Sequence, residues 1–226
     1  MCPSSLLYPC CYFVSALYRI NWRFTVYNVK SCIYQCFSNS FFVFPYFIVY
    51  STKILFNNFN YFIYSKHYLD CLGGNNYWSI DGPFDEFENG LNTLFDGDIE
   101  AGTRRFFEFS GLMIEKGGFD VVGHVDKITY HGRKYSGFDI TKPGYKKLMI
   151  KLLEQIKAQH MILEINTKSL ADHGITYPHQ TFYETIARME IPLMVNSDCH
   201  YPTNITAGFD ETYKALHKAG VRHSIS

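Results

Sequence analysis

The stretch Met194-Val-Asn-Ser-Asp-Cys-His-Tyr-Pro202 decides how the rest of the chain is read. Residues 192–196 have the apolar run of a buried strand, and they lead straight into Asp198 and His200. In an extended chain residues i and i+2 point to the same side. Asp198 and His200 are therefore expected to aim a carboxylate and an imidazole at one point past the strand end. The spacing recurs upstream in Asp120-Val-Val-Gly-His-Val-Asp126, where His124 and Asp126 follow another apolar strand. Two strands that each end in such a pair suit metal ligation or catalysis better than packing.

Composition divides the chain. It has 226 residues and no net charge, so an electrostatic nucleic-acid partner is not indicated. All 21 acidic residues fall from Asp70 onward. Five of the 7 cysteines (Cys2, Cys10, Cys11, Cys32 and Cys36) lie near the start, without the paired spacing of a zinc site. With no secretory leader pattern, reduced thiols and a cytoplasmic location are expected. Residues 1–57 are rich in Phe, Tyr, Ile, Asn and Ser. That is what A/T-rich DNA encodes outside a selected reading frame, so this segment reads as a frame-shifted or wrongly started stretch. Phe41-Phe-Val-Phe-Pro-Tyr-Phe-Ile-Val-Tyr50 leaves two alternatives open, a membrane segment and a buried strand pair. Pro45 and the short apolar length speak against the membrane segment.

From residue 58 the pattern is orderly. Strands are expected at 60–64, 119–123, 161–166 and 192–196. Helices are expected at 99–116 behind an Asp98 N-cap, at 145–158, at 178–188 and at 209–219. The first of these helices should present Phe106, Phe109, Leu112 and Met113 on one face. Residues 73–76 mark a loop, 78–84 look irregular, and 131–144 read as a polar loop. This strand–helix alternation predicts a parallel sheet wound with helices. His67, His124, Asp126, Glu164, Asn166, Asp198 and His200 all fall at strand C-termini, the catalytic face of a parallel barrel.

Imidazoles and a carboxylate gathered there suit Zn, Mn or Fe(II). The sequence holds no Ser-centred nucleophile elbow and no Gly-rich phosphate loop, so a metal-bound hydroxide is the expected nucleophile. Asp126 is expected to fix a loop or support a ligand from behind. Glu164 and Asn166 either line the site or cap the rim. Cys199 should point into the wall as an apolar filler. His131, His160, His173, His179, His217 and His223 are expected to face solvent, with His131 and His179 within reach of a site mouth. Arg133 and Lys134 are the candidate phosphate-binding cations.

Several motifs together resemble the polymerase and histidinol phosphatase (PHP) family, and most closely its histidinol-phosphatase branch. They are Ser65-Lys-His67, Trp78-Ser-Ile-Asp81-Gly-Pro, Gly123-His-Val-Asp126, Glu164-Ile-Asn-Thr167, Tyr177-Pro178 and Asn196-Ser-Asp-Cys-His-Tyr-Pro202, with Gly208-Phe209 following. The likeness covers residues 58–226. It implies an α/β fold, a distorted seven-stranded β/α barrel with up to three metal ions. It also implies hydrolysis of L-histidinol phosphate to L-histidinol and phosphate in histidine biosynthesis. His67, His124, Asp198 and His200 match family metal ligands, with His124, Asp198 and His200 at the catalytic centre. The family's opening His-x-His motif and a further His and Glu ligand have no counterpart before His67. The barrel is therefore expected to be incomplete, the metal complement smaller, and turnover low or absent. A phosphoesterase of other specificity and a non-catalytic remnant, membrane-associated through Phe41–Tyr50, remain the alternatives.

Overall fold

The two-residue period of extended chain decides which way each strand of this protein faces. The structure, a computed structural model, describes residues 40–44, 47–56, 59–73 and 76–222. The expectations for residues 1–39 and for His223 lie outside these. Strands β1 (Ser40–Phe44), β2 (Phe47–Phe56), β3 (Phe59–Lys66), β6 (Val121–Val122), β7 (Ile162–Asn166) and β8 (Leu193–Asn196) form one sheet in the order β1-β2-β3-β6-β7-β8. From β3 to β8 the pairing is parallel, whereas β1–β2 and β2–β3 are antiparallel. Strands β4 (Tyr68–Gly73) and β5 (Asn76–Ser79) pair as a separate hairpin.

The expected parallel α/β alternation is therefore present from β3 onward. Phe41–Tyr50 falls across β1 and β2, whose register runs from Phe44↔Phe47 to Ser40↔Ser51. Of the two alternatives for this stretch, the strand pair is the one found. Among the described residues no helix is long and apolar enough to cross a membrane. Pairing in the large sheet ends at β1 on one side and β8 on the other.

One face of the parallel strands carries Val122, Leu163, Ile165, Leu193 and Val195. They merge with the main core, which takes in α2 (Ile99–Lys116), α4 (Pro143–Ala158), α6 (Tyr183–Met189) and α7 (Phe209–Lys218). The alternate residues Ile63, Val121 and Met194, with Ile162 against them, form a small second cluster. Towards the strand C-termini that second face turns polar, through Ser65, Glu164, Asn166 and Asn196. The sheet thus has a helix-packed apolar face and a face that grades from apolar to polar.

Local chemistry explains the helices. Asp98 caps α2 by accepting from the N–H groups of Glu100 and Ala101, and Gly117 and Gly118 at positive φ end it. Phe106, Phe109 and Met113 are buried as expected, but Leu112 is 46 % exposed, and Phe107 and Ile114 take the inner positions. Pro143 opens α4 at its first turn. Short helices α3 (Thr129–Gly132), which runs into the expected polar loop 131–144, and α5 (Leu170–His173) follow β6 and β7. The expected helix at 178–188 begins later: a 3-10 turn over Gln180–Phe182 precedes α6.

The stretch expected to be irregular, 78–84, begins within β5 and ends on the first residue of α1 (Phe84–Phe95), a helix not expected from the sequence. Phe84, Phe87, Leu91, Leu94 and Phe95 recur at helical spacing along α1, with Phe87 and Leu91 fully buried and the others packed against the core. Trp78 packs against this stripe. It is fully buried and its Nε1–H donates to Phe87 O at 2.9 Å. A Cβ on Gly90 would stand 2.0 Å from Trp78 Cδ1.

This contact reverses the usual effect of a helical glycine. Gly90→Ala is expected to lower stability by about 1–3 kcal/mol through overpacking, against its helix propensity. Gly144→Ala, where nothing lies within 4 Å, is expected to raise stability by up to about 1 kcal/mol. Chemical denaturation of the two variants measures both signs. A stabilised Gly90→Ala would contradict the packing described.

Candidate active site

The C-terminal ends of the four parallel strands bring most of the expected residues together. His67 follows β3, His124 follows β6 by two residues, Glu164 and Asn166 lie in β7, and Asp198 and His200 follow β8. The binding element is Glu164. Its Oε2 accepts from His124 N–H at 2.8 Å and from Asn166 Nδ2 at 3.3 Å, while Oε1 accepts from Asn196 Nδ2 at 2.5 Å. Asn166 Nδ2 also reaches Asp198 Oδ2 at 3.3 Å. A Cβ on Gly123 would meet Ser65 Cβ at 2.9 Å and Glu164 Oε2 at 3.3 Å, so glycine leaves the room this carboxylate occupies. Glu164 and Asn166, left open in sequence between lining and rim, are both buried in this network.

The imidazoles are held individually. His67 Nδ1 donates to Asp81 Oδ2 at 2.8 Å, and Ser65 Oγ lies 3.0 Å from its Nε2. Burial opposes ionisation of Asp81, but the charge and hydrogen bond of His67, with Lys127, outweigh it and hold its carboxyl well below the usual range. His67 and His124 meet edge to face at 4.8 Å between ring centroids. Burial, aided by the charges of His67 and Lys127, keeps His124 neutral, the form that binds metals. His200 Nδ1 donates to the carbonyl of Asp198 at 3.1 Å, and Lys168 Nζ stands 3.5 Å from its Nε2.

Two residues carry backbone strain. His124 (φ 23°) and Asp198 (φ 48°) take left-handed conformations that are unfavourable for residues with a Cβ. They also hold buried polar atoms without a hydrogen-bond partner, His124 Nδ1 and Asp198 Oδ1. Strain and an unsatisfied polar atom at one residue are each costly, and their coincidence marks functional positions.

The i, i+2 pairing of His124 with Asp126 does not survive. Strand β6 stops at Val122 and the chain turns at His124, so Asp126 leaves the row. Its Oδ2 accepts from the His179 N–H at 2.8 Å, while Oδ1 is buried and unpartnered. His131, expected in solvent, is buried and donates from Nε2 to Gly82 O at 2.8 Å. Of the other expected solvent-facing imidazoles, His160, His173 and His217 are exposed and His179 is half-buried. Arg133 and Lys134 are exposed, and Lys134 Nζ lies 3.8 Å over the Phe84 ring. Cys199 is buried with a free thiol. Three members of the site were not among the expected site residues: Asp81, Lys127 and Lys168. Asp81 lies within the motif Trp78-Ser-Ile-Asp81-Gly-Pro, and the tertiary structure sets the three beside His67, Asp81 and Asp198.

The donors fit a divalent cation in kind. Imidazoles with a carboxylate suit Zn, Mn or Fe, and His67 and His200 each have Nδ1 engaged by an oxygen, as ligating imidazoles do. His124 Nδ1 and Asp198 Oδ1 are buried acceptors awaiting a partner. Among the described residues, no three His, Cys, Asp or Glu side chains are gathered closely enough to hold an ion by themselves.

Two solution properties follow from the buried carboxyls. Burial and the neighbouring Asp198 push Glu164 up to about 7, against the three donors that favour its ionised form. Asn196→Ala removes one donor, so its cost, about 1–3 kcal/mol, should be larger near pH 8 than near pH 5. Burial likewise raises Asp126 to about 7, above its unfolded value. Its contribution to stability is therefore complete below about pH 4 and lost as pH rises through about 7, with Glu164 acting in the same direction. Thermal melts should fall between about pH 5 and 8 and fall less in Asp126→Asn. An identical slope in that variant would remove Asp126 from the explanation.

Comparison with known proteins gives a likeness of fold. A crystal structure from Listeria monocytogenes, of a protein named "putative histidinol phosphatase", matches this chain with a TM-score of 0.58 and 24 % identity. The match covers 66 % of this chain and 56 % of that one, so the chain spans little more than half the length of the protein it resembles. No protein-family model matches the chain, and no curated protein does. What these findings establish is an α/β fold with a parallel sheet, shared with that protein.

Proposed function

We propose that this chain carries a metal-dependent phosphomonoesterase site for L-histidinol phosphate, built on part of a distorted β/α barrel of the PHP type. One observation carries the proposal: His124 and Asp198, strained at the ends of β6 and β8, each hold a buried acceptor atom without a partner. The fold likeness to a protein named "putative histidinol phosphatase" supports the choice of substrate. So do the sequence motifs around His67, His124 and Asp198. A cytoplasmic place of work belongs to the same proposal.

His67, His124, Asp198 and His200 are the residues that would hold divalent cations. Such a cation supplies Lewis acidity towards the phosphoryl oxygens and an attacking water. The chain's own residues do the positioning. Asp81 keeps the proton on His67 Nδ1 and so leaves Nε2 as the acceptor nitrogen. Asn166 aligns Asp198 Oδ2 with Glu164, and its Oδ1 holds the backbone N–H of Lys168 at 3.0 Å. Glu164 fixes the turn at His124. With four matching ligands rather than the family's larger set, metal affinity and turnover should both be low.

Phosphate release from L-histidinol phosphate, with Mn and Zn supplied separately, tests this. Slow, chelator-sensitive release is expected, lost in His124→Ala and in Asp198→Ala. Asp81→Asn should weaken metal affinity or activity by about 10–100-fold. A preference for other monoesters in a substrate panel would change the specificity and keep the chemistry. Absence of release from every monoester by the folded, metal-supplied chain would overturn the proposal.

A further inference from the structure

Two lysines flank the polar row at the strand ends. Lys127 stands on the β3 side. Its side chain is only 6 % exposed, and its Nζ lies 4.7 Å from the centroid of the Tyr177 ring and 5.6 Å from that of Tyr130. Its carboxylate neighbour, Asp81 Oδ2, is 3.8 Å away and already accepts from His67 Nδ1 at 2.8 Å. That separation is an ion-pair contact but too long for a hydrogen bond. An ammonium so enclosed is costly unless fully paired. Lys168 stands on the β8 side, in the loop after β7. Its Nζ is 3.5 Å from Asp198 Oδ2 and 3.5 Å from His200 Nε2, and its side chain is 41 % exposed. Both ammonium groups act on His124, which lies between them in the row.

We infer that Lys127 and Lys168 are the inner and outer cations that hold the phosphoryl group of a phosphate monoester. This rests on the phosphomonoesterase proposal and deepens it. A monoester near neutral pH carries close to two negative charges, and two ammonium groups match them. Lysine serves phosphate as a point charge with three donors and needs no fixed fork. The buried lysine supplies a strong, desolvated contact, and the rim lysine is free to follow the group in and out. Of the other candidate pair, Arg133 and Lys134, Lys134 is laid over the Phe84 ring, whereas Lys127 and Lys168 lie against the carboxylates of Asp81 and Asp198.

The test is calorimetric titration of the full chain with inorganic phosphate, once in EDTA and once in Mn. Saturable binding is expected under both conditions. Lys127→Met and Lys168→Gln should each weaken it about tenfold, the value of one charge-assisted contact. Lys168 is at the surface, so Lys168→Gln decides the matter if Lys127→Met does not fold by circular dichroism. Unchanged affinity in the folded variants overturns the inference. So does absence of phosphate binding, or a loss that follows Arg133→Ala and Lys134→Ala instead. Lysine-dependent phosphate binding without hydrolysis of any monoester would keep this inference and remove the phosphatase proposal. Hydrolysis with lysine-independent binding would do the reverse.

Discussion

A single buried carboxylate holds the C-terminal ends of three strands in register. Glu164 takes one donor from the turn after β6, one from its own strand β7 and one from β8. Burying a carboxylate costs several kcal/mol before its partners are counted, on the order of what a whole domain has to spare. The three donors offset that cost only when all are present. The arrangement is therefore rigid: His124 must turn its N–H towards β7, which it does by accepting a left-handed φ. Gly123 must lack a Cβ for the carboxylate to lie where it does. The positions of His124 and Asp198 are consequences of this hub.

The two faces of the sheet divide the work. Helices α2, α4, α6 and α7 cover one face with a continuous apolar core, which supplies the stability. The other face has a small apolar cluster of Ile63, Val121 and Met194, with Ile162 against it, and then turns polar towards the strand ends. Hydrophobic burial on the helix-covered face offsets the cost of the unsatisfied atoms and strained backbone at His124 and Asp198. Asp81 and Lys127 extend the polar row sideways, on segments that pack against the hairpin β4–β5 and helix α1.

Much of the fold was legible because strand and helix periods differ. The apolar runs of β7 and β8 and the capped helix α2 stand where their patterns put them, whereas α4 starts at Pro143, inside the expected loop 131–144. Helix α1 was not expected, although Phe84, Phe87, Leu91, Leu94 and Phe95 carry a helical period. Gly90 interrupts that stripe, and Trp78 fills the space its missing side chain leaves. The pairing of His124 with Asp126 failed for a different reason. The i, i+2 rule holds while the chain stays extended, and β6 is two residues long.

The sequence by itself determined that parallel strands would end in His67, His124, Glu164, Asn166, Asp198 and His200. Apolar alternation and strand-end placement are local properties, written in neighbouring residues. The tertiary structure alone decided which of these meet, and what meets them. Asp81 reaches His67 across the hairpin β4–β5, Asn196 reaches Glu164 across a strand pair, and Asp126 turns away to hold the His179 backbone. It also set Lys127 beside Asp81 and Lys168 beside Asp198. Contacts between residues far apart in sequence depend on the register of strands and the path of loops. No local pattern of residues encodes those.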